Sequence, residues 1–157
     1  RVMSIEMFEH MRNYKILLSR IKSWLSPEGK LFIHIFCHQK YPYFFEMEGH
    51  HNWMGRYFFS GGIMPSSDLF TYFQNDLSLE KQWWWDGKHY QKTAEAWLNQ
   101  MDQKKDEIYP LLKIVYGKEN ADCWFQRWRI FFMSCAELFG YQKGTEWGVS
   151  HYLFSQK

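Results

Sequence analysis

The sequence predicts an α/β protein: a mostly parallel sheet carrying a helical insertion. Three observations carry that prediction. Two short apolar runs, Val2–Ile5 and Leu31–Cys37, flank an amphipathic stretch of roughly three turns, the strand–helix–strand unit of a parallel sheet. Residues 87–145 are helical in period, broken by short turns. Residues 147–154 return to strand-like sequence, so the chain re-enters the sheet after the helices.

Taken in order, Val2–Ile5 reads as a buried central strand and Glu6–Met11 as a polar and aromatic turn after it. Asn13 suits a helix cap. Tyr14, Leu17, Leu18, Ile21 and Leu25 then repeat at helical spacing until Ser26-Pro27-Glu28-Gly29 stops the helix. Leu31–Cys37 is a strand of the fully buried kind. Residues 38–64 have no clean period and read as a long insertion with room for one short helix; loops of that length are usually functional. Pro65-Ser66-Ser67-Asp68 starts a helix over Leu69–Asn75, and Ser78–Trp85 is the next strand.

Three helices follow. His89–Gln103 sets Tyr90, Thr93, Ala94, Trp97, Leu98 and Met101 on one face. Asp106–Tyr116 points Ile108, Leu111, Leu112 and Val115 inward, and Gly117 ends it. The longest runs from about Asn120 to Phe139, with Trp124, Trp128, Phe131, Phe132, Cys135, Leu138 and Phe139 as its stripe. Trp147–Phe154 has the mixed polarity of an edge or antiparallel strand. The sheet therefore takes residues 1–40, 66–86 and 146–157, with an insertion loop at 41–65 and a helical cap at 87–145.

A chain of 157 residues suits one domain, or part of a larger one. Lys plus Arg number 19 against 17 Asp plus Glu, and this near balance gives no electrostatic case for nucleic acid or an anionic membrane as partner. The apolar runs are too short to span a bilayer. Cys37, Cys123 and Cys135 form no Cys-x-x-Cys pair, and the odd number points away from disulfides to a reducing, cytoplasmic compartment. Aromatic residues make up 21%, which suggests pockets or interfaces lined by rings. The chain opens on Arg1 within what reads as a strand, so an N-terminal portion is expected beyond this sequence.

The best candidate for chemistry is Ser4-Ile5-Glu6-Met7-Phe8-Glu9-His10, just past the carboxyl end of a strand, where open α/β sheets bind ligands. One helical turn there would project Glu6, Glu9 and His10 to one side. Two carboxylates beside an imidazole can hold a cationic amine and accept its proton; the plainer reading is a solvated helix start with acids at its positive end. His34 inside a strand and Tyr90 at a helix start read equally as core residues. The stripe of Trp124, Trp128 and Phe131 is either core or the wall of a cation pocket. Cys37-His38 and His50-His51 match no standard zinc module, so no metal is expected. Gly61-Gly62 is too little for a phosphate loop.

Four stretches resemble one family: Val2-Met3-Ser4-Ile5-Glu6-Met7-Phe8-Glu9-His10-Met11; Tyr57-Phe58-Phe59-Ser60-Gly61-Gly62 with Met64-Pro65-Ser66; His89-Tyr90 with Thr93 and Trp97; and Trp128-Arg129-Ile130-Phe131-Phe132 with Ala136-Glu137-Leu138-Phe139. The family is that of the plant coclaurine N-methyltransferases and, more distantly, the bacterial cyclopropane fatty acid synthases. The resemblance implies an S-adenosylmethionine-dependent methyltransferase of class I with a Rossmann-like sheet, of which this chain corresponds to the C-terminal half. Its strands would be the fourth to seventh, the last one antiparallel, with Val2–Ile5 at one edge. The glycine-rich cofactor loop and the acidic ribose-binding residue would lie upstream.

The resemblance also assigns roles. Ser4 and Ile5 would border the cofactor. Residues matching Glu6, Glu9 and His10 orient and deprotonate the amine in the N-methyltransferases. Residues matching Glu9, His34 and Tyr90 hold a bicarbonate base in the cyclopropane synthases. Phe58, Trp128 and Phe131 would wall a flat cationic substrate, with Tyr90 and His34 beside it. Arg127 departs from the aromatic lining residue expected at its position. The reading is methyl transfer to a small, aromatic, benzylisoquinoline-like amine, with homodimerisation left open. Its rivals are methylene transfer to a lipid double bond, and a binding module that kept the fold without the cofactor half.

Overall fold

The computed structural model describes residues 1–49 and 51–157. Strand β1 (Val2–Ile5) leads through a 3₁₀ turn (Phe8–His10) to helix α1 (Tyr14–Trp24) and strand β2 (Lys30–His38). Asn13 Oδ1 accepts the Ile16 N–H at 3.2 Å, a cap of the kind worth ~1 kcal/mol. β1 and β2 pair in parallel, with Ile5 opposite His34. The insertion contributes β3 (Tyr43–Phe44), the short helix α2 (Trp53–Tyr57) and β4 (Ile63–Met64), with β3 and β4 paired antiparallel. Then come β5 (Leu77–Asp86), the helices α3 (Gly87–Gln103), α4 (Lys105–Tyr116) and α5 (Ala121–Gly140), and β6 (Trp147–Gln156).

The main sheet runs in the order β1-β2-β6-β5. β6 is antiparallel to both of its neighbours. The antiparallel reading of the last strand therefore holds and the edge reading does not: β6 lies inside the sheet, and β1 and β5 are its edges. The mixed polarity of β6 has another cause. Tyr152 and Phe154 face the α1 side and are buried, while His151 and Leu153 face the other side and are only half covered.

The same one-sided cover corrects two further expectations. β1 is not buried: Met3 and Ile5 are exposed. β2 alternates, with Leu31, Ile33 and Ile35 buried and Phe32 and His34 half-buried. α1 closes one face only, through Tyr14, Leu18 and Ile21 against those β2 residues, Leu77, Tyr152 and Phe154. The helix expected at Leu69–Asn75 is a single 3₁₀ turn, Leu69–Tyr72. Of that segment Phe70 alone is fully buried, edge-on to Phe8, Tyr14 and Tyr152.

The helices stand over the far end of β2. Phe36, Met64, Ala94, Cys135 and Phe139 join β2, the insertion, α3 and α5 in a second cluster. A third, Met101, Leu112, Ala121 and Phe125, holds the helices to each other. On α4 the four residues read as inward, Ile108, Leu111, Leu112 and Val115, all border the space between the helices, but Leu111 and Val115 are 59% and 68% exposed there. They stay exposed because the helices leave an open cleft at that place. Among the described residues, no helix is long and apolar enough to cross a membrane.

Candidate active site

The backbone leaves β1 at Glu6 with φ of 50°, a left-handed turn that is uncommon for a residue with a Cβ. Such conformations cost ~1–3 kcal/mol and persist where the surroundings hold them. Here the Glu6 N–H donates to the His34 carbonyl at 3.1 Å. Phe8, fully buried, stacks on Tyr14 at 6.0 Å, and the Tyr14 hydroxyl donates to the Phe8 carbonyl at 3.0 Å. From the other side Gly62 lets the insertion close over the turn, since a Cβ at that position would sit 3.0 Å from the Glu9 carbonyl oxygen. Of the glycine pair, Gly62 serves this close approach, while Gly61 supplies a φ of 75° with open space around it.

The single helical turn expected for Glu6, Glu9 and His10 is absent, and the three side chains take three directions. Glu9 points inward, is 2% exposed, and its Oε2 is buried without a hydrogen-bond partner. Burial raises its pKa to about 7; a backbone hydrogen bond opposes the rise and the charge of Glu6 adds to it. His10 points outward, with Nε2 3.7 Å from Glu9 Oε1 and its ring stacked on Phe59 at 6.0 Å. Glu6 points along the sheet face, with Oε1 3.2 Å from His34 Nε2. That contact lies off the ring N–H axis and leaves the buried Oε1 free to accept a hydrogen bond. The Tyr90 phenol faces the Glu6 carboxylate; burial first, then the charge of Glu6, pushes its pKa well above the ordinary phenol value.

Sequence reasoning missed two residues at this site. The β2–β6 register sets His151 directly opposite His34. His34 Nδ1 lies 2.8 Å from His151 Nε2, and Trp85 Nε1 donates to His151 Nδ1 at 3.1 Å. His34, Trp85, Tyr90 and His151 share a cavity of about 310 Å³. Nothing local in the sequence marks this, because the two histidines are 117 residues apart.

The expected aromatic wall divides. Trp128 and Phe131 line a cleft of about 670 Å³ between α3, α4 and α5, with Trp97, Met101, Tyr116 and Phe132. Phe58 stands behind that wall, stacked on Phe131 at 4.4 Å and edge-on to Trp128 at 5.0 Å. Phe59 links the cleft to the carboxylates, its ring 6.0 Å from both Phe131 and His10. Arg127 lies over the rings of Tyr57 and Trp124 at 4.1 and 4.8 Å, so a planar cation takes the place of a ring in the stack.

Ser4 and Ile5 end β1 beside Glu6. Ser4 is buried with its Oγ unpartnered, and Ile5 is exposed. Cys37 and His38 are structural: the thiol donates to Ser150 Oγ at 3.3 Å, and His38 Nδ1 accepts the N–H of Lys40 and Tyr41, each at 2.9 Å. His51 is exposed, and His50 lies outside the described residues. Chemically, the site offers an acceptor carboxylate, a buried acid titrating near neutrality and an exposed imidazole beside an aromatic cleft.

The chain is 38% identical to the (S)-coclaurine N-methyltransferase of Thalictrum flavum subsp. glaucum, over 100% of this chain and 45% of that protein. A crystal structure of coclaurine N-methyltransferase bound to N-methylheliamine and S-adenosylhomocysteine superposes with a TM-score of 0.89 at 39% identity, over 98% of this chain and 45% of that one. A cyclopropane synthase from Mycobacterium tuberculosis superposes at 0.74 with 18% identity, over 98% of this chain and 54% of that one, a likeness of fold. The chain thus spans less than half the length of the curated relatives it matches. The sheet is that of the Rossmann-like class I methyltransferases. Residues 1–146 match the mycolic acid cyclopropane synthetase family, and the chain belongs to that family.

Proposed function

We propose that this chain carries the amine-activating half of an S-adenosylmethionine-dependent N-methyltransferase whose substrate is a small aromatic amine. The observation that carries the reading is the pairing of an inward Glu9, raised to about 7, with the outward His10 at 3.7 Å, next to an aromatic cleft. The 38% identity to coclaurine N-methyltransferases supports it.

A protonated amine has no lone pair and cannot attack a methyl group. The site's first task is to take that proton, and a base titrating near neutral pH is suited to it. Glu9 and His10 accept the proton, while Glu6 holds the amine nitrogen through its free acceptor oxygen. The rings of Trp128 and Phe131 present negative faces to a flat cation. At the end of β1, the unpartnered Ser4 hydroxyl and the exposed Ile5 fit the edge of a bound cofactor. When bound, S-adenosylmethionine supplies the electrophilic methyl group; the chain's contribution is to hold the nucleophile close and unprotonated.

The test is an assay of the gene-encoded protein with methyl-labelled S-adenosylmethionine against benzylisoquinolines, simple amines and phospholipid vesicles. Label in a benzylisoquinoline product supports the reading. Label in phospholipid alone overturns it.

A further inference from the structure

Four side chains form one line across the exposed face of the sheet: Trp85 on β5, His151 on β6, His34 on β2 and Glu6 at the end of β1. Two hydrogen bonds link it, 3.1 Å from Trp85 Nε1 to His151 Nδ1 and 2.8 Å between His151 Nε2 and His34 Nδ1, and His34 Nε2 then lies 3.2 Å from Glu6 Oε1 without a hydrogen bond. His151 uses both of its ring nitrogens in these bonds, and His34 uses Nδ1.

The Trp85 end fixes its direction. An indole nitrogen only donates. His151 Nδ1 must therefore be the bare nitrogen and its Nε2 must carry the proton. That proton points at His34 Nδ1, which must in turn be bare, so His34 carries its proton on Nε2, turned toward Glu6 Oε1 at 3.2 Å without a hydrogen bond to it. Burial and the neighbouring His34 lower the pKa of His151, which favours the neutral ring this pattern needs. The opposite direction would set the Trp85 N–H against a second N–H at 3.1 Å.

We infer that Trp85 and His151 are positioning residues: they hold His34 in the Nε2–H form, so that Glu6 faces the positive edge of the ring rather than a lone pair and its unpartnered Oε1 stays open to the substrate nitrogen. With the line reversed, His34 would turn a lone pair toward Glu6, and a proton would have to sit between them on the oxygen that the amine needs. The role rests on the proposed N-methylation for its consequence, though the tautomers themselves do not. The arrangement is also reachable by water, since Trp85, His151 and His34 line a cavity and Trp85 is exposed.

The experiment uses the gene-encoded protein with ¹⁵N-labelled histidine. Long-range ¹H–¹⁵N spectra report which ring nitrogen carries the proton. In the wild type, both His34 and His151 should be Nε2–H. His151→Leu should release His34 from that form and raise the amine KM about 10–100-fold, the scale of one hydrogen bond to a charged group. His151→Gln keeps an N–H donor near the same place; it should restore the His34 signature and most of the KM. Trp85→Phe should leave the fold intact and let His151 exchange tautomers; it carries the test if His151→Leu does not fold. A wild-type His34 protonated on Nδ1 overturns the inference, as does equal behaviour of His151→Leu and His151→Gln. Correct tautomers in a protein that methylates no amine would uphold the hydrogen-bonded line and overturn the proposed activity and the role drawn from it.

Discussion

Replacing Glu9 by Gln should make the protein more stable, by an amount that depends on pH in a calculable way. Glu9 titrates at about 7 in the folded chain against 4.5 for the free side chain. At about 1.4 kcal/mol for each pH step, that gap is worth on the order of 3 kcal/mol. The sign follows from proton binding. Between 4.5 and about 7 the folded state holds the Glu9 proton and the unfolded chain has lost it. Folded stability therefore falls as pH rises through that window and levels off above it. Gln matches the protonated acid in shape and cannot titrate, so Glu9→Gln escapes the penalty.

Urea unfolding of both proteins near pH 4.5 and near pH 8 measures this, because the difference of differences cancels every group the two proteins share. The stability of Glu9→Gln relative to wild type should rise by on the order of 3 kcal/mol between the two conditions. A difference that stays constant with pH would mean that Glu9 is not held protonated by burial. The argument for it as a base near neutrality would then fail.

Three further outcomes follow from the geometry. His10→Ala should slow methylation roughly 10²–10⁴-fold, with the loss shrinking at higher pH as free amine accumulates; a near wild-type rate at neutral pH removes His10 from the mechanism. Trp128 is half-buried on the cleft wall, so Trp128→Ala should cost less than the ~3–5 kcal/mol of a buried aromatic truncation while raising the amine KM; a large melting shift with unchanged KM assigns it to the core. Gly87→Ala should destabilise by more than the ~1–3 kcal/mol of ordinary overpacking, because its Cβ would meet the Phe139 and Trp147 carbonyl oxygens at 2.1 and 2.3 Å. An unchanged melting transition would show that the β5–α3 junction can shift to admit it.

The sequence by itself determined the elements whose signals are local. Asn13 followed by apolar residues at helical spacing marked α1, and that helix runs Tyr14–Trp24. The long stripe from Trp124 to Phe139 marked α5, and Gly117 marked the end of α4 with its φ of 90°. The candidate carboxylates were legible because their place after a strand is a property of chain order.

Tertiary structure alone decided the rest. Composition at Leu69–Asn75 suits a helix, but anchoring Phe70 among Phe8, Tyr14 and Tyr152 leaves room for only one turn. Leu111 and Val115 have the same apolar character as the buried Leu112, and the open cleft between the helices decides which are covered. Glu6, Glu9 and His10 share a short stretch, yet a left-handed turn at Glu6 and the burial of Phe8 send them in separate directions and give Glu9 its raised pKa. The line from Trp85 through His151 and His34 exists only because antiparallel register sets residues 117 positions apart side by side. Helix period and capping are read from neighbours in the chain. Burial, register and the hydrogen bonds they permit depend on which distant segments meet, and no local pattern encodes that.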